Sequence, residues 1–211
     1  MNTPASPQQE GAMTEWLLRS FALLAYGIGV SRLAHAWWMD LSRWTLLLLL
    51  LTEGYSLLMV LVARRASTRD MSPMVVAVTS YAMFYFVLID PAGTTRLIPE
   101  MAGVSLQLLG TAWQFAAKVS LGRSFGLLPA QRGIVVSGPY RCVRHPIYLG
   151  YLIGHVGFLL VNFSLFNAAV LVALYGAQTI RIRREEAVLA ASDAYRDYQG
   201  RVRWKLVPFV Y

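Results

Sequence analysis

The sequence predicts an all-α integral membrane protein: a multi-span helical bundle of four spans plus a C-terminal helical hairpin, followed by a cytoplasmic amphipathic helix. Three observations carry that reading. The 211-residue chain is 56% hydrophobic and only 14% charged, against about 25% charged residues in ordinary soluble domains. Apolar runs recur at nearly bilayer-spanning length, and the mean hydropathy is +0.48. Lysine and arginine gather on alternate connections.

The elements follow in order. Met1–Ala12 is polar and rich in proline and glutamine. It lacks the basic start and adjoining apolar core of a cleavable signal, and residues 1–15 are expected to form a disordered tail. Apolar segments then run over Trp16–Val30, Trp44–Val62, Met74–Ile89, Met101–Val119, Ile147–Val161 and Leu165–Ile180. A helix rises about 1.5 Å per residue and the hydrocarbon core is about 30 Å thick, so about 20 residues span it. The last two segments are shorter and only Asn162-Phe163-Ser164 separates them, which predicts a hairpin that is tilted or crosses in part. No repeat or long linker divides the chain. Residues 16–119 are expected to select the substrate and residues 120–211 to carry the chemistry.

Orientation comes from the cations. With these crossings, 16 of the 19 Lys and Arg residues fall on the side that holds both termini, and only Arg32, Arg43 and Arg96 on the other. The rich side is expected in the cytoplasm, at a bacterial inner membrane. The net charge of +8 is then explained by topology and by attraction to anionic lipid head groups, without nucleic acid.

Chemistry-bearing residues concentrate on that side. GPYRCVRHPIYLG (residues 138–150) packs two arginines, a histidine, two prolines and two tyrosines ahead of the hairpin. Pro139 and Pro146 bend the chain, and Pro146 suits the first turn of a helix. RIRREEAVL follows the hairpin and leads into AYRDYQGRV. Ile182, Ala187, Val188, Ala191, Tyr195 and Tyr198 recur at helical spacing over residues 181–211 and predict an amphipathic helix. Arg181 and Glu185 lie four apart on one face, and a solvated intrahelical ion pair is their plainest explanation.

Together, G-x-Y-x-x-x-R-H-P-x-Y-x-G and the downstream R-x-x-x-E-E resemble the C-terminal half of the isoprenylcysteine carboxyl methyltransferase family and of the related phospholipid methyltransferases. The resemblance covers about Leu121–Pro208. It implies a membrane enzyme that uses S-adenosylmethionine without a soluble Rossmann-type fold. It also implies that Arg132, Gly133, Ile134, Val135 and Tyr140 line the cofactor, that His145, Pro146, Ile147 and Tyr148 form the other wall, and that Glu185 holds a polar part of it. Arg181 would then stand on the substrate side, where a guanidinium orients a carboxylate bidentately. An ionised carboxylate needs no general base. An amine or thiol acceptor does, and His145 or Glu186 would be the candidate.

Other polar residues are weighed on their own. Glu53 lies in the second apolar segment, where an ionisable group marks a functional site by default; it would bind a lipidic substrate's polar group or pair with Gln107 or Gln114. Gly103 and Gly110, seven apart, suit close helix packing. His155 reads as a hydrogen-bonded packing residue, Tyr151 as belt or site, and Cys142 as inert, with no metal-ligand spacing around it. The leading expectation is a methyltransferase acting on a lipid-attached or small hydrophobic acceptor, most simply a carboxylate. Alternatives are an NADPH-dependent reductase of the sterol-reductase type, which shares an R-H-P-x-Y-x-G-like stretch, and a non-catalytic membrane scaffold.

Overall fold

The described parts of the apolar segments become helices; residues 1–23, with the expected tail and the start of the first segment, lie outside the described residues, and the first helix continues past Val30 to residue 39. A computed structural model describes residues 24–62, 72–121 and 135–211. Helix α1 covers 24–39 of them; α2 is Trp44–Val62, α3 Pro73–Leu88, α4 Glu100–Leu121, α5 Pro146–Val161, α6 Leu165–Leu189 and α7 Asp193–Arg201, with a 3₁₀ turn at Gly138–Arg141. Among the described residues there is no strand, only an isolated antiparallel bridge between Thr95 and Phe163 that ties the α3–α4 loop to the hairpin tip. Pro73 and Pro146 open α3 and α5 in their first turns, where a missing N–H costs nothing. Ser164 caps α6 by accepting from the Asn167 N–H at 3.0 Å.

The bundle is apolar outside and partly polar inside. Met101, Leu108, Leu109, Phe115 and Val119 on α4 and Leu165, Phe166 and Val172 on α6 are exposed, while Gln107, Gln114, His155, Asn162, Asn167 and Gln178 are buried. Apolar surface of this extent marks faces covered by lipid or by another protein. Among the described residues, α6 is the helix with both the length and the hydropathy to cross a membrane. Leu33, Leu46, Leu49, Tyr85, Phe86, Ile89, Phe158, Val170, Leu171 and Leu174 join α1, α2, α3, α5 and α6 in one core.

Helices α4 and α5 approach through glycine. A Cβ on Gly110 would stand 2.7 Å from Gly154 N, and one on Gly150 would stand 2.6 Å from Gly110 O. Two turns along, a Cβ on Gly157 would meet Gly103 O at 2.7 Å. The expected role of Gly103 and Gly110 in close packing is thus realised, against partners on α5.

At the hairpin tip, Asn162 and Asn167 are almost fully buried. The Asn162 amide accepts from Arg43 Nη2 at 2.8 Å and donates to Thr45 Oγ1 at 3.0 Å. Asn167 accepts from the Asp90 N–H and donates to the Asp90 carbonyl, both at 2.9 Å. Glu100 takes the Thr45 N–H at 2.8 Å. The short turn between α5 and α6 is therefore fastened to the loops beside it.

The C-terminal region differs from the single amphipathic helix expected over 181–211. Helix α6 continues unbroken past Arg181 to Leu189, a turn intervenes, α7 spans Asp193–Arg201, and residues 202–211 are not helical. Nothing in RIRREEAVL breaks a helix, so the apolar span and the charged segment form one rod. Pro208 and the β-branched residues near it do not favour a further helical turn after Gly200.

Candidate functional site

The 138–150 motif becomes a folded elbow beside the charged end of α6. Gly138 has φ +60°, a conformation L-residues avoid, and starts the 3₁₀ turn that buries Tyr140. From Arg144 the backbone runs beside the C-terminal tail: the Arg144 N–H bonds Trp204 O at 2.9 Å and the His145 N–H bonds Lys205 O at 2.8 Å. Tyr198 on α7 donates its hydroxyl to Tyr140 O at 2.7 Å. The tail and α7 thus hold the motif from outside.

Glu186 is the hub behind this elbow. Its Oε1 accepts from Arg144 Nε at 2.7 Å and lies 3.3 Å from His145 Nε2, while Oε2 lies 3.2 Å from Lys205 Nζ. A carboxylate only accepts, so His145 presents Nε2–H to it. Arg144 also donates to Val202 O at 3.0 Å. The Arg144, His145 and Glu186 side chains are buried and that of Lys205 is half-buried, and their shared contacts fix the elbow against α6.

The neighbouring charges are arranged differently. Arg181 does not pair with Glu185, although one helical turn separates them. Its Nη1 bonds Gln178 Oε1 at 3.0 Å and its guanidinium lies over the Tyr148 ring, 5.6 Å from the centroid. The His145 ring stacks on the other neighbour of that surface, with centroids 5.9 Å apart and planes 23° apart to Tyr148. Glu185 makes no ion pair among the described residues; its charge acts on the hydroxyls of Tyr140 and Tyr148. Burial, and then the Glu185 charge, push the Tyr140 hydroxyl far above its ordinary range. Burial pushes Tyr198 up to about 12, so both remain neutral.

The structure therefore gathers Tyr140, His145, Pro146, Tyr148, Arg181, Glu185 and Glu186 at one end of the bundle, with Ile147 and Val135 alongside in sequence. Arg132, Gly133 and Ile134 lie outside the described residues. Glu53 sits in the bundle interior and bonds Tyr85, not Gln107 or Gln114; Gln107 instead donates to Thr45 O at 3.1 Å. His155 is hydrogen-bonded to Tyr85 and Tyr175, as expected of a packing residue. Cys142 is an exposed free thiol. Arg144, Lys205 and Lys118 escaped the reading of the sequence. Arg144 had a signal, since in the pair Glu185-Glu186 only one carboxylate can share a face with Arg181 and the other must look toward a different cation.

The described helices thus carry apolar side chains outside, polar ones inside and a cluster of charges at one end of the bundle. Residues 102–191 match the model of the isoprenylcysteine carboxyl methyltransferase (ICMT) family. The match covers less than half of the chain, which is similar there to a family of membrane-associated methyltransferases that use S-adenosylmethionine. A search of curated proteins finds no match.

Proposed function

We propose that this protein is a multi-pass membrane methyltransferase that uses S-adenosylmethionine to methylate a carboxylate on a lipid-attached or small hydrophobic acceptor. The observation that carries the reading is the contrast between two adjacent carboxylates. Glu186 is saturated by Arg144, His145 and Lys205, whereas Glu185 and Arg181 share a face without pairing, Arg181 lying over the Tyr148 ring. Opposite charges at i and i+4 are within reach of each other, and a pair gains about 0.2–0.5 kcal/mol, less in this cation-first order. Holding them apart suits ligands that carry complementary charges.

The residues fit the cofactor. A zwitterionic cation needs a carboxylate, an apolar wall and neutral hydroxyl donors; Glu185, the Pro146-Ile147 wall, Tyr140 and Tyr148 offer these, and the family resemblance adds Arg132, Gly133, Ile134 and Val135. When bound, S-adenosylmethionine supplies an electrophilic methyl group. Arg181 orients the acceptor's carboxylate, which is already ionised and needs no base. His145 and Glu186 act by holding the elbow: with Nε2–H committed to Glu186, the imidazole is fixed in place beside Tyr148. Alignment and exclusion of water are worth about 7–11 kcal/mol in well-oriented intramolecular systems, and a site at a bundle rim can supply both.

The basic-residue asymmetry supports a cytoplasmic site with both termini on that side, in a bacterial inner membrane, and attraction to anionic lipid. The test is transfer of labelled methyl from S-adenosylmethionine to hydrophobic thioether carboxylates, compared with phospholipid amines, by purified protein in detergent. Base-labile methyl ester on the carboxylates, lost in Arg181→Met, supports the proposal; label on the amines, or none on either, refutes the carboxylate assignment. A parallel NADPH titration that gives saturable binding would favour a reductase.

A further inference from the structure

The C-terminal tail carries a turn with a bulky side chain where glycine belongs. Val207 O accepts from the Val210 N–H at 3.1 Å, which closes a turn with Pro208 and Phe209 as its central residues. Phe209 has φ +66° and is the one non-glycine with a positive φ among the described residues. Proline at the second position and a positive φ at the third is the type II pattern, whose third position takes glycine by preference. For a phenylalanine that conformation is strained. The turn is nevertheless held shut: the Leu206 and Val207 N–H groups reach Tyr211 O at 2.7 and 3.0 Å, and the Tyr211 N–H returns to Val207 O at 2.9 Å.

What the strained turn achieves is exposure. Phe209 is 86% and Val210 78% exposed, whereas Leu206 is buried. Phe209 leans on Trp204, with ring centroids 5.3 Å apart and planes 50° apart, and otherwise projects from the protein. Water gives no return for a strained backbone that displays an aromatic ring and a valine, but an apolar medium does. Cations flank the tip. Arg201 and Arg203 are exposed, and Lys205 Nζ lies 5.1 Å from the Tyr211 ring centroid while it reaches Glu186. An apolar tip beside exposed cations, with tryptophan and tyrosine behind it, suits the boundary between water and an anionic lipid layer.

The tip also stands at a suitable level. The segment that carries it takes the Arg144 and His145 N–H groups on Trp204 O and Lys205 O, and the next residue, Pro146, begins α5. Helix α5 has 16 residues, a rise of about 24 Å against a hydrocarbon core of about 30 Å. Such a helix cannot hold both of its ends clear of the lipid. We propose that the turn at Pro208, Phe209 and Val210 is a membrane-interface anchor. Phe209 and Val210 insert among the upper acyl chains of the leaflet on the site's side, Arg201 and Arg203 bind anionic head groups, and the tail so fixed holds the elbow. This rests on the membrane reading above and is independent of the cofactor and acceptor assignments.

The test measures depth by collision. Three variants of a full-length Cys142→Ser chain are spin-labelled: Val210→Cys, Val172→Cys on the exposed apolar side of α6, and Asp197→Cys on the exposed side of α7. Each is reconstituted into phosphatidylcholine vesicles containing phosphatidylglycerol, and collisions with oxygen, which concentrates in lipid, and with a water-soluble nickel chelate are recorded. For an interfacial depth of about 5–10 Å, the oxygen-to-nickel ratio of Val210→Cys is expected to be at least about threefold that of Asp197→Cys. Adding Phe209→Ser should bring it to within about 1.5-fold of the Asp197→Cys value, and omitting phosphatidylglycerol should lower it. A ratio equal to that of Asp197→Cys, or one insensitive to either change, overturns the inference. Low collision rates of Val210→Cys with both reagents also overturn it, since protein and not lipid would then cover the tip. Failure of the membrane reading shows separately, as a Val172→Cys label with the ratio of Asp197→Cys.

Discussion

Gly110→Ala should be among the most damaging single-methyl additions this protein can receive. The new Cβ would collide with Gly150 O and lie 2.7 Å from Gly154 N, where ordinary contact begins at 3.4 Å. Both obstacles are backbone, so no rotamer change can relieve the overlap. Helices α4 and α5 must part by at least about 0.7 Å there, and a gap of that order forfeits about a quarter to a half of each dispersion contact along the seam. Overpacking of this kind costs about 1–3 kcal/mol, and the immovable backbone puts the expectation at the upper end. The Ala helix preference returns at most about 1 kcal/mol. Gly176→Ala on α6 is the control, since nothing lies within 4 Å of its Cβ; it should be neutral or slightly stabilising. The assay is thermal unfolding of both variants in one detergent, followed by S-adenosylhomocysteine titration, because α5 also carries Tyr148. A Gly110→Ala protein as stable as Gly176→Ala would refute the claim that backbone contact sets the α4–α5 distance.

Three further outcomes are expected. Asn162→Leu leaves Arg43 and Thr45 without their shared amide and should cost about 1–3 kcal/mol, read as a lower Tm. Glu186→Gln strands Arg144 and Lys205 beside a buried neutral amide; removal of one member of such a cluster costs about 3–5 kcal/mol, visible as thermal destabilisation before any effect on binding is considered. Truncation after Val202 removes the carbonyls of Trp204 and Lys205 that receive the Arg144 and His145 N–H groups. It should raise protease sensitivity at residues 138–145 and weaken S-adenosylhomocysteine binding at least tenfold, and unchanged cleavage would show that the tail does not hold the elbow.

Much of the helical plan was legible because apolar length and proline placement are local signals. Pro73 and Pro146 mark helix starts wherever the neighbours lie, and Asn162-Phe163-Ser164 can hardly be anything but a turn. What tertiary contact decides was not legible. Glu53 announced itself as costly, but its partner Tyr85 is 32 residues away and no spacing rule selects it over Gln107. Lys118 read as one more cytoplasmic cation until its aromatic seat on Tyr55 and Tyr151 was seen. The continuity of α6 through Arg181 was available from propensity alone, yet the change from apolar to charged composition suggested a boundary. The tail from Arg203 to Tyr211 carries no periodicity, and its hold on the elbow depends on backbone groups that every residue shares.

The division of labour between the two adjacent carboxylates is the central claim, and calorimetric titration of S-adenosylhomocysteine into wild-type and Glu185→Gln protein tests it most directly. The account predicts saturable binding by the wild type, weakened at least tenfold by Glu185→Gln with an unchanged Tm. Equal affinity in the two proteins, or loss of stability in Glu185→Gln comparable to that of Glu186→Gln, would contradict it.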